Sequence, residues 1–388
     1  MPWKTIDTCL RYIRKKKPNY KETVKIAAFD LDGTLINRNR QTQIWTYLDS
    51  NIIKKLNEYL QEGYFLIIFT NQSGIGNNKN FKLDEWKLII RNLFNDIIGY
   101  GQLESYYMAV YVATQFDFYR KPNIEMWKLM YYDIKKRSGF DKINISDTSF
   151  YCGDAAGRIV RSYYKKTGNG KDFSDVDIKF ALNLNLKFFT PEELFLGFKR
   201  EKYIVKKIKY NEVLNRECPK LDNKYKKNEM IIMVGLPGSG KSIYVRNNFD
   251  KHYGIVNQDE CGTRKKCDKA LQILLDNGMS VVIDATNYTS EMRAHYIEIA
   301  RQHNYKVRCI IMNTDTLLSK HLNAVRHVYS NDKIPLIGGV VYNKSNKNYE
   351  KPKKSEGFYS IEYANVCFSK KYKSDKKWMR IFHMYFEY

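Results

Sequence analysis

The stretch Val24–Ile36 reads VKIAAFDLDGTLI and ends an apolar run with two aspartates, Asp30 and Asp32, on either side of one leucine. A short run of this kind predicts a strand that is buried on both faces, as in a parallel sheet. Ligands of such sheets bind beyond the carboxyl ends of the strands, where these two carboxylates stand. Carboxylates this close repel each other unless a cation lies between them, so the pair indicates Mg²⁺, although D-x-D alone also occurs in solvated turns.

Apolar runs recur along the chain with helical patterns between them. They are YFLIIF at 64–69, MAVYVA at 108–113, TSFYC at 148–152, MIIMV at 230–234, MSVVI at 279–283 and VRCIIM at 307–312. In one intervening segment the apolar residues are three or four positions apart, which predicts a helix with one buried face. They are Leu83, Trp86, Ile90, Leu93 and Ile97. Alternating strands and helices predict an α/β protein made of two doubly wound α/β domains.

The join between the two domains falls in a charged segment at 201–228. This segment has no sustained periodicity, which predicts a linker on the surface. We therefore expect a first domain at 1–200, beginning with a short extension at 1–22, and a second domain at 229–388. The basic and aromatic tail at 370–388 predicts one or two edge strands.

The charge of the chain points to a polyanionic partner. Its 388 residues include 66 Lys and Arg against 42 Asp and Glu, a formal net charge of +24, and nucleic acid is the first candidate. The alternative is a composition biased toward lysine, with the lysines simply on the surface. No run of eighteen apolar residues and no signal-peptide pattern is present, which predicts an intracellular protein. Seven scattered cysteines without C-x-x-C argue against a zinc ribbon or a disulfide framework.

The aspartate pair belongs to an ordered set of motifs. FDLDGTLI is followed by IIFTNQ, YRKP and YCGDAAGR. Thr70 and Asn71 can contact phosphate oxygens, Lys121 supplies a compact positive charge, and Asp154 adds a carboxylate for the metal. With Mg²⁺ present, one carboxylate of the pair can attack phosphorus and the other can hand a proton to the departing alkoxide. The set resembles the haloacid dehalogenase superfamily of phosphatases.

The second domain opens with MVGLPGSGKS, which satisfies the G-x-x-x-x-G-K-S pattern after an apolar strand. Its candidate nucleotide-binding residues are Gly235, Gly238, Ser239, Gly240, Lys241 and Ser242. Backbone N–H groups of such a loop surround the phosphates, the lysine reaches their oxygens, and the serine hydroxyl ligates Mg²⁺. The pattern predicts binding of ATP or GTP, and the reaction must be inferred from other residues.

Three further residues suggest a kinase for a hydroxyl acceptor. Asp259 follows a short apolar run and is the candidate base, and Asp284 ends the next strand as a candidate metal-directed carboxylate. Arg326 lies on a predicted helix and could close over the phosphates to stabilise the transition state. A solvated helix face is the alternative for Arg326.

The order phosphatase, linker, P-loop kinase resembles the polynucleotide kinase 3′-phosphatases, which heal broken DNA ends. The resemblance runs from about Trp3 to the C-terminus. Its motifs are FDLDGTLI, IFTNQSGIG, YRKP, FYCGDAAGR, KDFSDVDIKFALNL, TPEELF, VGLPGSGKS, IDATN, IP at 334–335 and EGF at 356–358. The resemblance implies removal of 3′-phosphate and transfer of phosphate from ATP to a 5′-OH, which together leave the ends that a ligase needs.

The resemblance also implies roles for single residues. In the phosphatase, Asp30 would be the nucleophile and Asp32 the general acid and then base, with Lys121 completing the site. Mg²⁺ would be held by Asp30, Asp154 and the Asp32 carbonyl, and Thr70 would hold the phosphate with Arg158 near the substrate. The kinase roles fall on Asp259 for the 5′-hydroxyl, Asp284 for the metal and Arg326 for the lid.

The sequence departs from the family pattern at several places. Only about two dozen residues precede the phosphatase strand, so the forkhead-associated domain of larger animal members is expected to be absent. Gln258 and Ala324 stand where the family commonly has basic residues, and the alternative is therefore a 3′-phosphatase with a weak or inactive kinase domain. A third hypothesis, a basic scaffold with inactive domains, is disfavoured because an idle site does not need such clustered charge.

Partners and localisation follow from the same resemblance. We expect a monomer that acts on nicks, gaps or single-stranded 3′ ends of DNA, or on RNA, in coordination with a ligase. RKKK at Arg14–Lys17 is either a nuclear import signal or a solvated helix end. The nucleus and, for a viral protein, the cytoplasm are both compatible with the sequence.

Overall fold

The computed structural model describes the chain apart from residues 1, 40, 43, 160–169, 219–220, 250–251, 332 and 388. It contains two compact units, one at Met1–Lys206 with Tyr385–Glu387 and the other at Lys207–Met384. A sheet with parallel strands lies at the centre of each unit, flanked by helices, which confirms the predicted α/β class.

The first unit alternates strands and helices along the chain. Its strands are β1 (Lys4–Ile6), β2 (Cys9–Lys16), β3 (Thr23–Phe29), β4 (Ile36–Arg38), β5 (Trp45–Tyr47), β6 (Tyr64–Asn71), β7 (Tyr106–Ala113), β8 (Asn144–Ile145), β9 (Phe150–Cys152) and β10 (Lys187–Phe189). Its helices are α1 (Ile52–Gln61), α2 (Ser73–Asn77), α3 (Leu83–Gly101), α4 (Glu125–Ser138), α5 (Val176–Asn183) and α6 (Pro191–Leu196).

The central sheet of the first unit has the strand order β1-β2-β7-β6-β3-β9-β10. The strands from β7 to β10 in this order run parallel, whereas β1 and β2 are antiparallel additions at one edge. The apolar face predicted from helical spacing is the face with which α3 packs on this sheet, through Trp86, Ile90 and Leu93. The loops that follow β3, β6, β7 and β9 therefore meet at one edge of the sheet, on either side of β3, where the strand order reverses.

The second unit repeats the same class of architecture with its own elements. Its strands are β11 (Glu229–Val234), β12 (Gly254–Asn257), β13 (Val281–Asp284), β14 (Lys306–Met312) and β15 (Ser360–Ala364). Its helices are α7 (Tyr210–Leu214), α8 (Lys241–Asn248), α9 (Gln258–Cys261), α10 (Arg264–Asp276), α11 (Ser290–Gln302), α12 (Thr316–Tyr329), α13 (Gly339–Lys347), α14 (Lys370–Ser374) and α15 (Lys376–Phe382). The parallel sheet has the order β12-β13-β11-β14-β15.

The prediction of edge strands in the C-terminal tail is wrong, because the tail forms α14 and α15. Trp378, Ile381 and Phe382 are three and four positions apart, so they share one helix face, and all three are buried. The Asp375 side chain caps α15 by accepting a hydrogen bond from the backbone N–H of Trp378 at 2.9 Å.

The basic run RKKK does not lie at a helix end either. Arg14 to Lys16 belong to β2, which is paired along its length with β7. Arg14 donates to the side chain of Asn95, and Lys16 Nζ donates to the carbonyl of Leu103 at 3.4 Å. The alternative of a solvated helix end is therefore wrong, because these residues belong to a strand.

Two of the seven cysteines are joined, contrary to the expectation from their spacing. Cys218 and Cys367 form a disulfide, whereas Cys9, Cys152, Cys261, Cys267 and Cys309 are free. The pair is 149 residues apart in the sequence, so local spacing carries no sign of it. Among the described helices, none is long and apolar enough to pass through a membrane.

A buried ion pair holds neighbouring strands of the second sheet together. Arg308 on β14 lies with Glu229 at the start of β11, with Arg308 Nη2 at 3.2 Å from Glu229 Oε2. Tyr253 Oη donates to the same carboxylate oxygen at 2.6 Å, and Tyr359 donates to the other. Both members of the pair are buried, so each needs the other to compensate its lost hydration.

We expect Glu229→Ala to destabilise the protein by about 3–5 kcal/mol, because the buried Arg308 would lose its closest carboxylate and keep only the longer, 3.5 Å contact with Glu362. Urea unfolding of the variant and the unaltered chain measures the difference. The matched control is Glu298→Ala, which removes an exposed partner of Arg301 on α11 and should leave the unfolding midpoint unchanged. Equal midpoints for the Glu229 variant and the unaltered protein would contradict the importance of the pair.

Candidate active sites

Lys121 is the centre of the candidate site in the first unit. Its side chain is only 2% exposed, and its Nζ lies 2.6 Å from Asp30 Oδ1 and 2.7 Å from Asp177 Oδ1. The Tyr151 hydroxyl is 2.8 Å from the same nitrogen. Asp30 directly follows β3, so the ammonium group lies at the carboxyl edge of the sheet.

Asn71 holds the backbone of Lys121 in place. Its amide nitrogen donates to the Lys121 carbonyl at 3.2 Å, and its amide oxygen accepts from the Lys121 backbone N–H at 2.9 Å. Because Asn71 ends β6, it ties the loop that carries the lysine to a neighbouring strand of the sheet. Asn71 therefore positions Lys121, and its predicted contact with a phosphate oxygen stays a prediction.

Burial and neighbouring charges shift the pKa values of Asp30 and Lys121 in opposite directions. Burial raises the pKa of Asp30, and the nearby Lys121 ammonium opposes that rise. Burial by itself would lower the pKa of Lys121, but the carboxylates of Asp177 and Asp30 offset this effect, and the pKa is raised. The lysine therefore stays charged, and a further cation would favour the ionised form of Asp30.

Three carboxylates in this site are placed to share a metal ion. Asp30, Asp154 and Asp177 can each offer one oxygen, and these oxygens lie within 4.8 Å of one another. Such hard oxygen donors fit Mg²⁺. Gly33 has a φ of +79°, and a Cβ there would come within 2.6 Å of Asp154 Oδ2, so only glycine leaves the carboxylate in place.

Sequence reasoning assigned no role to Asp177. The only sign of it was its place in the motif KDFSDVDIKFALNL, 23 residues after Asp154. In the structure Asp177 lies at the start of α5, where its second oxygen accepts from the backbone N–H of Ala155 at 3.0 Å. It thereby links the loop of Asp154 to the ammonium group of Lys121.

Asp32 lies in a separate hydrogen-bond network. Arg38 donates to both of its carboxylate oxygens, from Nε at 2.9 Å and from Nη2 at 2.7 Å. Gln72 Nε2 donates to Asp32 Oδ2 at 2.7 Å and to Thr70 Oγ1 at 3.0 Å. Thr70 thus lies in the site as predicted, while Arg38, which belongs to no motif, and Gln72, the last residue of IIFTNQ, were assigned no role from the sequence.

Arg158 is buried and forms ion pairs with acidic side chains. Its guanidinium group lies 2.9 Å from Asp172 and 2.9 Å from Glu192, and Nη2 donates to the Asp154 carbonyl at 3.1 Å. These contacts fix the backbone of the Asp154 loop. The structure therefore gives Arg158 a role in positioning Asp154, whereas sequence reasoning placed it near the substrate.

The glycine-rich loop of the second unit lies between β11 and α8. Gly238 and Gly240 have φ of +74° and +94°, and a Cβ on either would come within 2.7 Å of a neighbouring atom. Lys241 Nζ donates to the carbonyl oxygens of Gly235 at 3.0 Å and Leu236 at 2.8 Å. Burial lowers the pKa of Lys241 to about 8, and the more distant carboxylates of Asp284 and Asp259 oppose that shift.

A cavity of about 610 Å³ opens beside this loop and brings the other predicted kinase residues together. Its polar lining includes Ser239, Lys241, Ser242, Arg246, Gln258, Asp259, Asp284 and Arg326. Asp284 accepts a hydrogen bond from Asn257 Nδ2 at 2.6 Å, and Arg326 Nη2 donates to Asn323 Oδ1 at 3.2 Å. Among the described residues, none is hydrogen-bonded to the buried Arg326 Nε, which fits a guanidinium group that can bind an anion.

The two halves of the cavity differ in chemistry. Asp259 and Asp284 follow β12 and β13, on one side of β11 in the sheet order. An apolar wall comes from α12 and from the segment after β15, on the other side of β11. It includes Val325, Phe368, Tyr372 and Trp378, and Ile334, between α12 and α13, also lines the cavity.

The fold and the two sites indicate a class of protein with two phosphoryl-transfer centres, one in each unit. Comparison with known families supports this assignment. Residues 25–195 match the model of the polynucleotide kinase 3 phosphatase family, and residues 263–343 match an AAA domain model.

Two relatives match over most of their length. A protein of Acanthamoeba polyphaga mimivirus, provisionally described as a bifunctional polynucleotide phosphatase/kinase, is 42% identical over 100% of this chain and 96% of its own. The bifunctional polynucleotide phosphatase/kinase of Schizosaccharomyces pombe is 31% identical over 88% of this chain and 80% of its own. The polynucleotide 3′-phosphatase ZDP of Arabidopsis thaliana is 35% identical over 50% of this chain and 27% of its own. The chain belongs to the bifunctional polynucleotide phosphatase/kinase family.

We expect Asp177→Asn to lower phosphatase turnover by about 10–100-fold, because Lys121 would lose one of its two carboxylate partners. Release of phosphate from a 3′-phosphorylated oligonucleotide measures the effect, and nucleotide binding by the second unit should be unchanged. Asp147→Asn, at an exposed position, is the matched control and should keep full turnover. Full turnover of the Asp177 variant would show that the aspartate is dispensable.

Proposed function

We propose that this protein removes 3′-phosphate from polynucleotide ends and phosphorylates 5′-OH ends with ATP, which prepares broken strands for ligation. The observation that carries the proposal is the presence of both complete residue sets in one chain. Asp30, Lys121 and Asp154 come together in the first unit, and Lys241 faces a cavity with Asp259 in the second.

In the phosphatase half, Asp30 is the nucleophile that attacks the phosphorus of the 3′-phosphate. Lys121 neutralises the charge that gathers on the transferred group, and its contacts with Asp177 and Asn71 hold it in position. Asp32 protonates the departing 3′-oxygen and then activates the water that releases phosphate from Asp30. Thr70 contacts a phosphate oxygen through its hydroxyl group.

In the first site Asp30, Asp154 and the Asp32 carbonyl would hold Mg²⁺, and the cluster of Asp30, Asp154 and Asp177 carboxylates supports this proposal. In the second site Ser242 and Asp284 would hold it. When bound, the ion offsets negative charge on the phosphates and on the carboxylates around them.

In the kinase half, Asp259 accepts the proton of the 5′-hydroxyl as that oxygen attacks the γ-phosphate of ATP. The N–H groups of the loop at 235–242 and the Lys241 ammonium surround the phosphates. Arg326 stabilises charge as the transfer proceeds. Because Asp259 lies on one side of β11 and the apolar wall on the other, the acceptor occupies the acidic side and the base of ATP the aromatic side.

The polynucleotide partner is supported by the net charge of +24, which suits a phosphate backbone. DNA ends at nicks, gaps or single-stranded 3′ termini are the proposed substrates in strand-break repair, with RNA ends as a further candidate. A ligase would consume the product, because it needs the 5′-phosphate and 3′-OH that the two reactions leave. We propose a monomer that acts inside the cell, where ATP and such ends occur.

The second candidate function is a 3′-phosphatase with a weak kinase. Gln258 lines the kinase cavity where the family commonly has a basic residue, and Ala324 is a buried, uncharged residue of α12. Both replacements reduce positive charge near the nucleotide or acceptor. The rate of 5′-phosphorylation relative to 3′-dephosphorylation on the same substrate distinguishes the two functions.

The direct test uses a nicked duplex with 3′-phosphate and 5′-OH, incubated with Mg²⁺ with and without ATP. We expect Asp30→Asn to abolish 3′-dephosphorylation and spare 5′-phosphorylation, because only the first site loses its nucleophile. Lys241→Ala should do the reverse. Both ends are followed by gel electrophoresis of labelled strands, and loss of both activities in both variants would contradict two separate sites.

A further inference from the structure

The loop at 114–122 connects β7 to the turn before α4 and carries Lys121 at its far end. It begins where β7 reaches the carboxyl edge of the sheet, at which the phosphatase site also lies. Asp117 anchors the loop, because it accepts hydrogen bonds from the Thr8 hydroxyl and from the Tyr119 backbone N–H. The Tyr119 hydroxyl in turn donates to Asp7 at 3.2 Å.

Phe116 is an exposed aromatic side chain on this anchored loop. It is 62% exposed, although Thr114 and Tyr119 on the same loop are buried. The guanidinium carbon of Arg120 lies 4.4 Å from the centre of its ring, and Arg120 Nε is 3.2 Å from Glu387. The ring is therefore held beside a cation and retains a large area that another flat group could cover.

This combination has the chemistry of a contact to an unpaired nucleotide. Aromatic rings stack on nucleobases of any identity, and an adjacent arginine attracts the backbone phosphate. Arg120 is the residue directly before Lys121, so the platform is continuous in sequence with the catalytic lysine. A ring on an anchored loop also loses little conformational freedom when it is covered.

We propose that Phe116, held by Arg120, is a stacking platform for a nucleobase of the unpaired 3′-phosphorylated strand that enters the phosphatase site. This inference rests on the proposed function and adds a positioning residue to it. Phe116 has no group that could take part in phosphoryl transfer. It therefore acts on binding of the strand, and the residues of the site carry out the transfer.

The test compares substrates that do and do not offer a base to stack. Initial rates are measured for p-nitrophenyl phosphate and for single-stranded DNA of one, two, four and eight nucleotides with a 3′-phosphate. We expect Phe116→Ala to raise KM for the octanucleotide about tenfold and to leave kcat unchanged. Turnover of p-nitrophenyl phosphate should equal that of the unaltered enzyme, and Phe116→Trp should restore the octanucleotide KM.

A matched control is available on α4, where Tyr132 is 57% exposed and has Lys136 Nζ 6.0 Å from its ring centre. Tyr132→Ala removes an equally exposed aromatic ring and should change no KM value. The inference is overturned if Phe116→Ala keeps the octanucleotide KM of the unaltered enzyme. It is also overturned if the variant turns over p-nitrophenyl phosphate more slowly than the unaltered enzyme does, which would indicate a disturbed loop.

A binding measurement separates this inference from the proposed function. In an Asp30→Asn background, fluorescence anisotropy of a labelled 3′-phosphorylated octanucleotide reports affinity without any turnover. We expect the additional Phe116→Ala change to weaken binding about tenfold. If the unaltered enzyme released no phosphate from any oligonucleotide, the proposed activity would fail, whereas an unchanged anisotropy curve would overturn the platform.

Discussion

The first active site depends on one buried cation, the ammonium group of Lys121, shared between Asp30 and Asp177. A lysine this deeply buried would be costly without partners, and the two carboxylates supply them. The neighbouring parts of the site serve this contact. Asn71 fixes the backbone of the lysine, Tyr151 adds a hydroxyl group, and Asp177 joins the arrangement to the loop of Asp154.

The second site also buries a lysine ammonium group, but with different hydrogen-bond partners. Lys241 is also buried, but its hydrogen-bond acceptors are two carbonyl oxygens of its own loop. Its depressed pKa reflects burial that the more distant carboxylates only partly offset. The Lys121 ammonium group is paired with carboxylates, which suits a site in which one of those carboxylates, Asp30, is the nucleophile. The Lys241 ammonium group is hydrogen-bonded to neutral carbonyl oxygens, so its positive charge remains available to the phosphates when a nucleotide binds.

Much of the fold followed from local patterns, because buried parallel strands and an amphipathic helix leave periodic traces in the sequence. The tail at 370–388 was wrongly predicted, because its closely spaced aromatic residues are compatible with a strand and with a short helix. In the structure Asp375 caps the helix α15. The disulfide between Cys218 and Cys367 joins segments that only the fold brings together.

The site residues divide in a similar way. Asp30, Asp154 and Lys241 stand in motifs because their chemistry demands fixed neighbours in the chain. Asp177 escaped notice because its contact with Lys121 joins segments 56 residues apart, whereas Arg38 lies six residues from its partner Asp32 but belongs to none of the motifs. Arg158 and Asn71 stood in motifs, but their polar groups are directed to other parts of the protein, which residue type alone does not reveal.

The most direct measurement of the central claim is a rapid-quench experiment with an oligonucleotide that carries a ³²P-labelled 3′-phosphate. The account predicts transient covalent labelling of the protein, located by mass spectrometry on the peptide that contains Asp30. Lys121→Ala should lower the rate of labelling, since the transferred group would lose the ammonium group that lies beside Asp30. Label on a different residue, or labelling as fast without the lysine, would contradict the account.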